Sequence, residues 1–188
     1  MSLFKTRTKQ AKDHFLLPSN FIEIMANHKK FLESGVEGGR WEILSLTEDL
    51  ILGIYLKHSK QTKPNTPSDP KDQALLSLHN LEKLELKNIN LSYANCAQVY
   101  AEKKDWLNSN LEGSLFVDSI LNESIFKNAN LNRVDFSRSD MINCDFQGAT
   151  LKHADFENCN LTGANFKGCI IDDGTSFRNA ILENAIFD

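Results

Sequence analysis

The sequence contains few of the residues that mark several common protein classes. Its 188 residues include only four cysteines, four prolines and nine glycines, while 41% are apolar. This composition excludes collagen-like chains and intrinsically disordered ones. The cysteines form no Cys-x-x-Cys pair, so we expect reduced, buried thiols rather than a disulfide framework.

Long apolar segments are also missing. The longest apolar segment is Leu50–Leu56, whereas a membrane-spanning helix needs about 20 apolar residues. The basic N-terminus, Met1–Gln10, is not followed by the apolar run of a signal peptide. We therefore expect a cytoplasmic protein without membrane contact, with secretion as an effector left open.

The motifs of common enzymes do not occur either. There is no phosphate loop, no Gly-x-Ser-x-Gly and no His-Glu-x-x-His. His153 has Asp155 as its nearest acid in the sequence and no serine or cysteine arranged with it. We expect neither catalysis nor a bound cofactor or metal.

Charge is unevenly distributed along the chain. The net charge is -4, but residues 109–188 carry six Lys and Arg against twelve Asp and Glu, a net of -6, and residues 1–108 carry +2. The acidic half should repel phosphates, which excludes direct nucleic-acid binding.

Large apolar residues recur every five positions in this acidic half. The centres are Leu111, Phe116, Leu121, Phe126, Leu131, Phe136, Met141, Phe146, Leu151, Phe156, Leu161, Phe166 and Ile171. After an insertion at 172–176 the series resumes as Phe177, Leu182 and Phe187. Two residues before each centre stands a small residue, such as Ser114 or Ala129. A period of five fits neither a helix nor a strand, so the chain must turn a corner every five residues.

The pattern Ala-Asp/Asn-Leu/Phe-x-x, in sixteen consecutive units from about residue 109, resembles the pentapeptide-repeat family. The resemblance implies an all-β fold, a right-handed quadrilateral β-helix with four pentapeptides per coil and coils about 4.8 Å apart. Residues twenty apart then share a face. The phenylalanines should form two opposed inward columns, Phe116, Phe136, Phe156 and Phe177 in one and Phe126, Phe146, Phe166 and Phe187 in the other. Cys144, Cys159 and Cys169 fall on three different faces, which excludes a shared metal.

The chain before residue 109 is predicted to form a cap, a loop and less regular coils that lead into this β-helix. We predict an N-terminal amphipathic helix and lead-in cap at 1–40, a partial first coil at 41–56, an exposed loop at 57–73, degenerate coils at 74–108 and the regular β-helix at 109–188. The predicted helix face holds Phe21, Ile22, Ile24, Met25, His28, Phe31 and Leu32. A helical turn at Val99–Trp106 is an alternative to a degenerate coil.

Two surfaces are candidates for partner binding. The first is an acidic band of Asp135, Asp140, Asp145 and Asp155 on the outer wall. Qnr-type members of the resembled family are thought to bind DNA gyrase or topoisomerase IV with such a field, although Asp and Asn at this position also serve the corners of the repeat. The second is the apolar set Ile170, Ile181, Ile186 and Phe187, which predicts a homodimer joined through the C-terminal coil.

These observations favour a non-enzymatic protein-binding or scaffold solenoid whose protein partner is unidentified. The alternative is a DNA-mimicking modulator of DNA gyrase or topoisomerase IV, of the quinolone-protection type.

Overall fold

The computed structural model describes residues 18–33, 40–46, 51–57, 66–67, 76–77 and 79–188. Its named elements are helix α1 at Pro18–Glu33 and strands β1 at Arg40–Leu46, β2 at Ile51–Lys57 and β3 at Thr66–Pro67. The remaining described chain, from residue 76 onward, winds into a β-solenoid.

Each coil of the solenoid contains twenty residues. Parallel bridges join Asn90 to Asn110, Asn110 to Asn130 and Asn130 to Thr150. The same spacing reaches back to the bridge between Asn80 and Tyr100, so coils are already present in the degenerate segment, and Val99–Trp106 follows the coil rather than a helix. Beyond the insertion the spacing becomes 21, as in Asp155 to Ser176.

The bridges line up as four ladders, one for each pentapeptide of a coil. Ladder A contains Asn95, Leu115, Asp135, Asp155 and Ser176, and ladder B contains Asn80, Tyr100, Ile120, Asp140, Asn160 and Ile181. Ladder C contains Asp105, Ile125, Asp145, Asn165 and Ile186, and ladder D contains Asn90, Asn110, Asn130, Thr150 and Ile170.

A tight turn after every centre produces the corners. The N–H of Ala149 donates to Phe146 O at 2.9 Å, and the N–H of Ala129 donates to Phe126 O at 3.1 Å. The third residue of such a turn has positive φ, for example 55° at Asn128, a conformation that Asn and Gly adopt at low cost. The five-residue period is therefore the period of the turns.

Two columns of aromatic rings fill the tube. Rings of one column stack, with Phe126 and Phe146 centroids 5.2 Å apart and Phe136 and Phe156 centroids 5.3 Å apart. Rings of opposite columns meet edge to face, as Phe146 and Phe156 do at 86°. Both geometries are favourable for aromatic pairs. The predicted columns are confirmed, and Trp106 continues one of them below Phe126.

The small inward residues also satisfy backbone groups. Ser139 Oγ donates to Phe116 O at 2.7 Å, and Cys159 Sγ contacts Phe136 O at 2.9 Å, each reaching a centre on the preceding coil. Burial raises the pKa of the Cys159 thiol to about 12, so it stays protonated and can donate. Cysteine here replaces serine in a structural role.

Helix α1 packs against the core of the tube. Phe21 belongs to the same buried cluster as Leu76 and Leu81, with Ile24 and Met25 against it. His28 is fully buried, and burial lowers its pKa to about 4 despite a hydrogen bond to the Ser92 backbone. Other members of the predicted face differ: Ile22 is 70% exposed, and the Phe31 side chain lies outside the described residues.

The partial first coil predicted for 41–56 is replaced by an antiparallel strand pair. β1 pairs with β2 in the register Trp41 to Tyr55, with an irregularity between Ile43 and Ser45. A coil would require parallel partners at a constant separation of about twenty residues, whereas this pairing is antiparallel and its separation falls from 16 residues, Arg40 to Leu56, to 5, Leu46 to Ile51. The predicted loop at 57–73 lies mostly outside the described residues, and β3 within it pairs with β2.

Candidate interaction surfaces

The filled tube leaves its outer wall and its ends as the surfaces available for binding. The centres from Leu111 to Phe166 are buried to 2% exposure or less. Within the described ranges, no three His, Cys, Asp or Glu side chains are grouped closely enough to hold a metal ion. None of the described helical residues forms a segment long and apolar enough to cross a membrane.

The four predicted aspartates do not form one patch. Asp135 and Asp155 are bridge partners on ladder A, whereas Asp140 lies on ladder B and Asp145 on ladder C. The structure thus brings together two of the four carboxylates in adjacent coils. Asp135 has a raised pKa, chiefly because it is partly buried and also because Asp155 is nearby.

These carboxylates also take part in the turns. Asp135 Oδ1 accepts from the Ser137 N–H at 2.9 Å, and Asp155 Oδ1 accepts from the Glu157 N–H at 2.8 Å. Asn130 does the same for the Asn132 N–H at 3.2 Å. The repeat uses Asp and Asn interchangeably here, so the corner role proposed from sequence is confirmed for this position.

Ion pairs between successive coils neutralise much of the acidic wall. The pairs are Glu112 with Arg133 at 3.0 Å, Asp118 with Arg138 at 2.7 Å, Glu123 with Lys103 at 3.6 Å, Asp145 with Lys127 at 3.0 Å, and Glu157 with Arg178. Sequence reasoning did not identify them, although four of the five have the acid–base spacing of 20 or 21 residues that follows from the coil length; Asp145 and Lys127 are 18 residues apart. Asp135 and Asp155 form no such pair within residues 79–188.

The insertion at 172–176 is organised by Asp172. Its Oδ1 accepts from the N–H of His153 at 2.9 Å and of Gly174 at 3.1 Å. Its Oδ2 lies 3.3 Å from His153 Nε2. The hydrogen bond from the His153 backbone is the main reason that the pKa of Asp172 is lowered. The acid that faces His153 is thus Asp172 rather than Asp155, because the extra residue turns it toward the preceding coil.

The last coil exposes six large apolar side chains. The predicted interface residues Ile170, Ile181, Ile186 and Phe187 are 50%, 53%, 49% and 43% exposed. Ile171 and Leu182 extend the set at 52% and 36%. Among the side chains that the structure describes, only Ile22 and Ile125 are other exposed large hydrophobics. We call these six side chains the terminal apolar patch: Ile170, Ile181 and Ile186 lie on ladders D, B and C, whereas Ile171, Leu182 and Phe187 are among the last centres of the tube.

A family comparison agrees with this architecture. The family model described as "Pentapeptide repeat region" matches residues 79–166 and 109–187, more than half of the chain. The chain belongs to the pentapeptide repeat family. No curated protein matches it.

Several solved pentapeptide repeat proteins match part of this chain. Rfr23 from the cyanobacterium Cyanothece 51142 is 24% identical, with a TM-score of 0.48 over 62% of this chain and 87% of Rfr23. A pentapeptide repeat protein from the Arabidopsis thaliana thylakoid lumen is 26% identical, with a TM-score of 0.35 over 50% of this chain and 62% of that one. The plasmid-mediated fluoroquinolone resistance protein QnrB1, trypsin-treated, is 11% identical, with a TM-score of 0.33 over 61% of this chain and 60% of its own. The match therefore covers less than two thirds of the last two proteins.

Proposed function

We propose that this pentapeptide repeat protein is a non-enzymatic protein-binding scaffold that pairs with a second copy through its last coil. The observation that carries the pairing is the terminal apolar patch. Exposed apolar side chains gathered in one coil commonly mark an interaction surface. Covering these side chains would remove apolar area from water, which is the main favourable term in association.

The backbone of the last coil supports the same proposal. In earlier coils each centre donates its N–H to the following coil, as Phe156 does to Ser176 O at 2.8 Å and Phe166 to Ile186 O at 2.7 Å. The equivalent N–H groups of Phe177 and Leu182 have no acceptor among the described residues. An open backbone edge beside apolar side chains is a template for another chain.

The opposite end of the tube restricts how two copies can meet. Phe21, Ile24 and Met25 of α1 pack against the core cluster at the first coils. A head-to-tail contact would have to displace this helix. Contact between two last coils leaves both helices in place, and such a twofold contact closes after two copies.

Sedimentation velocity of the full chain at tens of micromolar tests the pairing. We expect a dimer for the wild type and a monomer for Ile181→Asp. Ile125→Asp is the matched control, because it places the same charge on an exposed isoleucine of the side wall and should leave the dimer intact. A monomeric wild type, or a dimer that survives Ile181→Asp, would rule out the proposal.

For the protein partner, we propose that the adjacent carboxylates Asp135 and Asp155 form the contact. They lie in register on ladder A, and a partner with a basic surface complements them. Asp→Asn substitutions remove charge while keeping the turn, because Asn130 makes the same hydrogen bond at the equivalent position of another repeat. In affinity capture, the wild-type protein should retain a basic partner, and the double variant Asp135→Asn/Asp155→Asn should lose it. The single variant Asp145→Asn, on ladder C, should retain the partner. Equal capture by all three proteins would contradict this contact.

A DNA-mimicking modulator of gyrase or topoisomerase IV is the second candidate. It rests on the same two stacked carboxylates, since a rigid wall with regularly spaced negative charge can imitate phosphates. Gyrase supercoiling with a quinolone, with and without the protein, tests it. Protection by wild type that is lost in Asp135→Asn/Asp155→Asn and kept in Asp145→Asn would support the candidate. Unchanged inhibition with the wild-type protein would reject it.

The geometry of this scaffold is a further part of the proposal. We propose that the twenty-residue coil has the right-handed quadrilateral form implied by the sequence pattern, with one ladder on each side. A crystal structure of the full chain checks both the handedness and the four-sided section, and a left-handed coil would overturn it.

A further inference from the structure

Outward residues of the early coils are buried although they lie on the wall of the tube. Every residue from Leu91 to Tyr100 is buried. The same corner position is occupied by Gln98 at 2% exposure and Asp118 at 8%, while Arg138 and Asn158, one and two coils further on, are exposed. The wall beside ladder A is therefore covered at its beginning and open from about residue 138.

The covered wall includes an apolar surface outside the tube. Ala97, Leu115 and Val117 form a buried cluster of their own, separate from the main core, at 0%, 2% and 4% exposure. Leu115 occupies the same ladder position as Asp135 and Asp155, which are only partly buried. We call these three residues the outer patch. Leu115, on the outer wall of the tube, is thus buried.

The apolar side chains described for helix α1 contact the core of the tube rather than the outer patch. Its Phe21, Ile24 and Met25 pack with the core cluster that lines the tube. The outer patch is not part of that cluster. The apolar contacts described for the helix therefore do not account for the burial of the patch.

The β1–β2 strand pair requires an apolar surface. The strands Arg-Trp-Glu-Ile-Leu-Ser-Leu and Ile-Leu-Gly-Ile-Tyr-Leu-Lys are mostly apolar, and β3 adds only the two residues Thr66–Pro67. An isolated hairpin is at best marginally stable in water and is normally stabilised by packing on another element. Some part of the chain must bury the outer patch, and the apolar strand pair must pack on another element to be stable. Packing the strand pair on the outer patch meets both requirements.

We propose that the β1–β2 pair docks on the outer patch and forms an intramolecular interface on the side of the solenoid. The docked strands occupy the early part of the wall beside ladder A. The open part of that ladder then begins at Asp135. A partner that reaches the two stacked carboxylates approaches them along the edge of the docked strands.

Hydrogen–deuterium exchange of the full chain tests the proposal. Exchange rates report local opening of a segment. We expect Leu115→Asp to accelerate amide exchange in residues 40–57 at least tenfold, with amides of residues 121–170 unchanged. Ile125→Asp is the matched control on ladder C and should leave residues 40–57 at the wild-type rate. The milder Val117→Thr keeps the side-chain shape and should accelerate residues 40–57 by a smaller factor if Leu115→Asp disturbs the coils.

Several outcomes would overturn the docking. If residues 40–57 exchange at the wild-type rate in both patch variants, the strands do not pack on the outer patch. Acceleration confined to a different segment would assign the patch to that segment. Protection of residues 40–57 that rises with protein concentration would make a second copy the occupant. Equal acceleration in Ile125→Asp would show a general loss of stability rather than a contact.

Discussion

Trp106 stacks on Phe126 with ring centroids 6.0 Å apart and planes within 5° of parallel. It is fully buried, and Phe116 meets it edge to face at 5.6 Å. Its indole Nε1–H has no hydrogen-bond acceptor among the described residues. The site therefore combines favourable aromatic packing with a polar group that burial penalises.

Trp106→Phe should change the free energy of unfolding by less than about 1 kcal/mol. The smaller ring loses contacts, but the substitution removes a buried N–H whose desolvation costs about 1–3 kcal/mol. Trp106→Ala removes the ring altogether and should cost about 3–5 kcal/mol. Urea denaturation of both variants measures the difference. A loss for Trp106→Phe as large as that for Trp106→Ala would contradict the expected gain from removing the buried N–H.

The ring columns could be predicted from sequence because their spacing leaves one solution. Phe116, Phe136 and Phe156 recur at intervals that no helix or flat strand produces, and each was predicted where it is found. The small residues followed from the same register. Because the pattern repeats over many coils, it can be recognised in the sequence even where single positions vary.

Features outside the repeat could not be predicted in this way. The apolar run Leu50–Leu56 has no five-residue period, so a coil and a hairpin strand were equally compatible with it. Ile22 lies on the predicted helix face but is exposed, because the contact with the tube is narrower than the apolar stripe. Leu115 is buried by tertiary packing, which local spacing does not encode.

The candidate site was predicted only in part for a geometric reason. A common repeat position suggested that Asp135, Asp140, Asp145 and Asp155 belong together. Residues five apart, however, lie on successive ladders, so only the pair twenty apart is adjacent. The neutralising ion pairs depend on long side chains that cross between coils, such as Arg138 to Asp118, and required the coil length to be known first.

Gly113→Ala should destabilise the solenoid much more than Gly168→Ala. Both glycines have positive φ, 63° and 68°, and alanine there costs about 1–2 kcal/mol. A Cβ at Gly113 would lie 2.6 Å from two ring atoms of Tyr93, which is itself buried at 8% exposure. A Cβ at Gly168 would have nothing nearer than 3.9 Å. We expect an additional cost of about 1–3 kcal/mol at Gly113 from overpacking.

Urea denaturation of the two glycine variants measures this difference, with Gly168→Ala as the control for backbone strain alone. Similar costs for both substitutions would mean that the Tyr93 ring moves aside freely. That result would contradict the close packing of this ring against the turn at Gly113.

Stability should fall between pH 6.5 and pH 4 because of His28. Burial lowers its pKa from 6.5 to about 4, so over this range the unfolded chain binds a proton that the folded chain does not. Stability from this residue is present above pH 6.5 and is lost as the pH falls through the window. The expected loss between pH 7 and pH 5 is about 2 kcal/mol.

Urea denaturation at pH 7 and pH 5 measures this loss in wild type and in His28→Gln. The variant should show a smaller decrease, since it has no group to protonate at that position. Parallel pH profiles for wild type and His28→Gln would contradict the assignment.

Asp172→Ala should open the last coil while leaving the middle coils intact. Asp172 Oδ1 joins the insertion to the preceding coil through the His153 N–H, and it also accepts from the Gly174 N–H. We expect severalfold faster amide exchange over residues 174–187 by hydrogen–deuterium exchange, with residues 121–150 unchanged. Asp173→Ala removes the same charge from the adjacent, exposed residue and should have little effect. Faster exchange in both variants would show that net charge, rather than the Asp172 hydrogen bonds, holds the insertion against the tube.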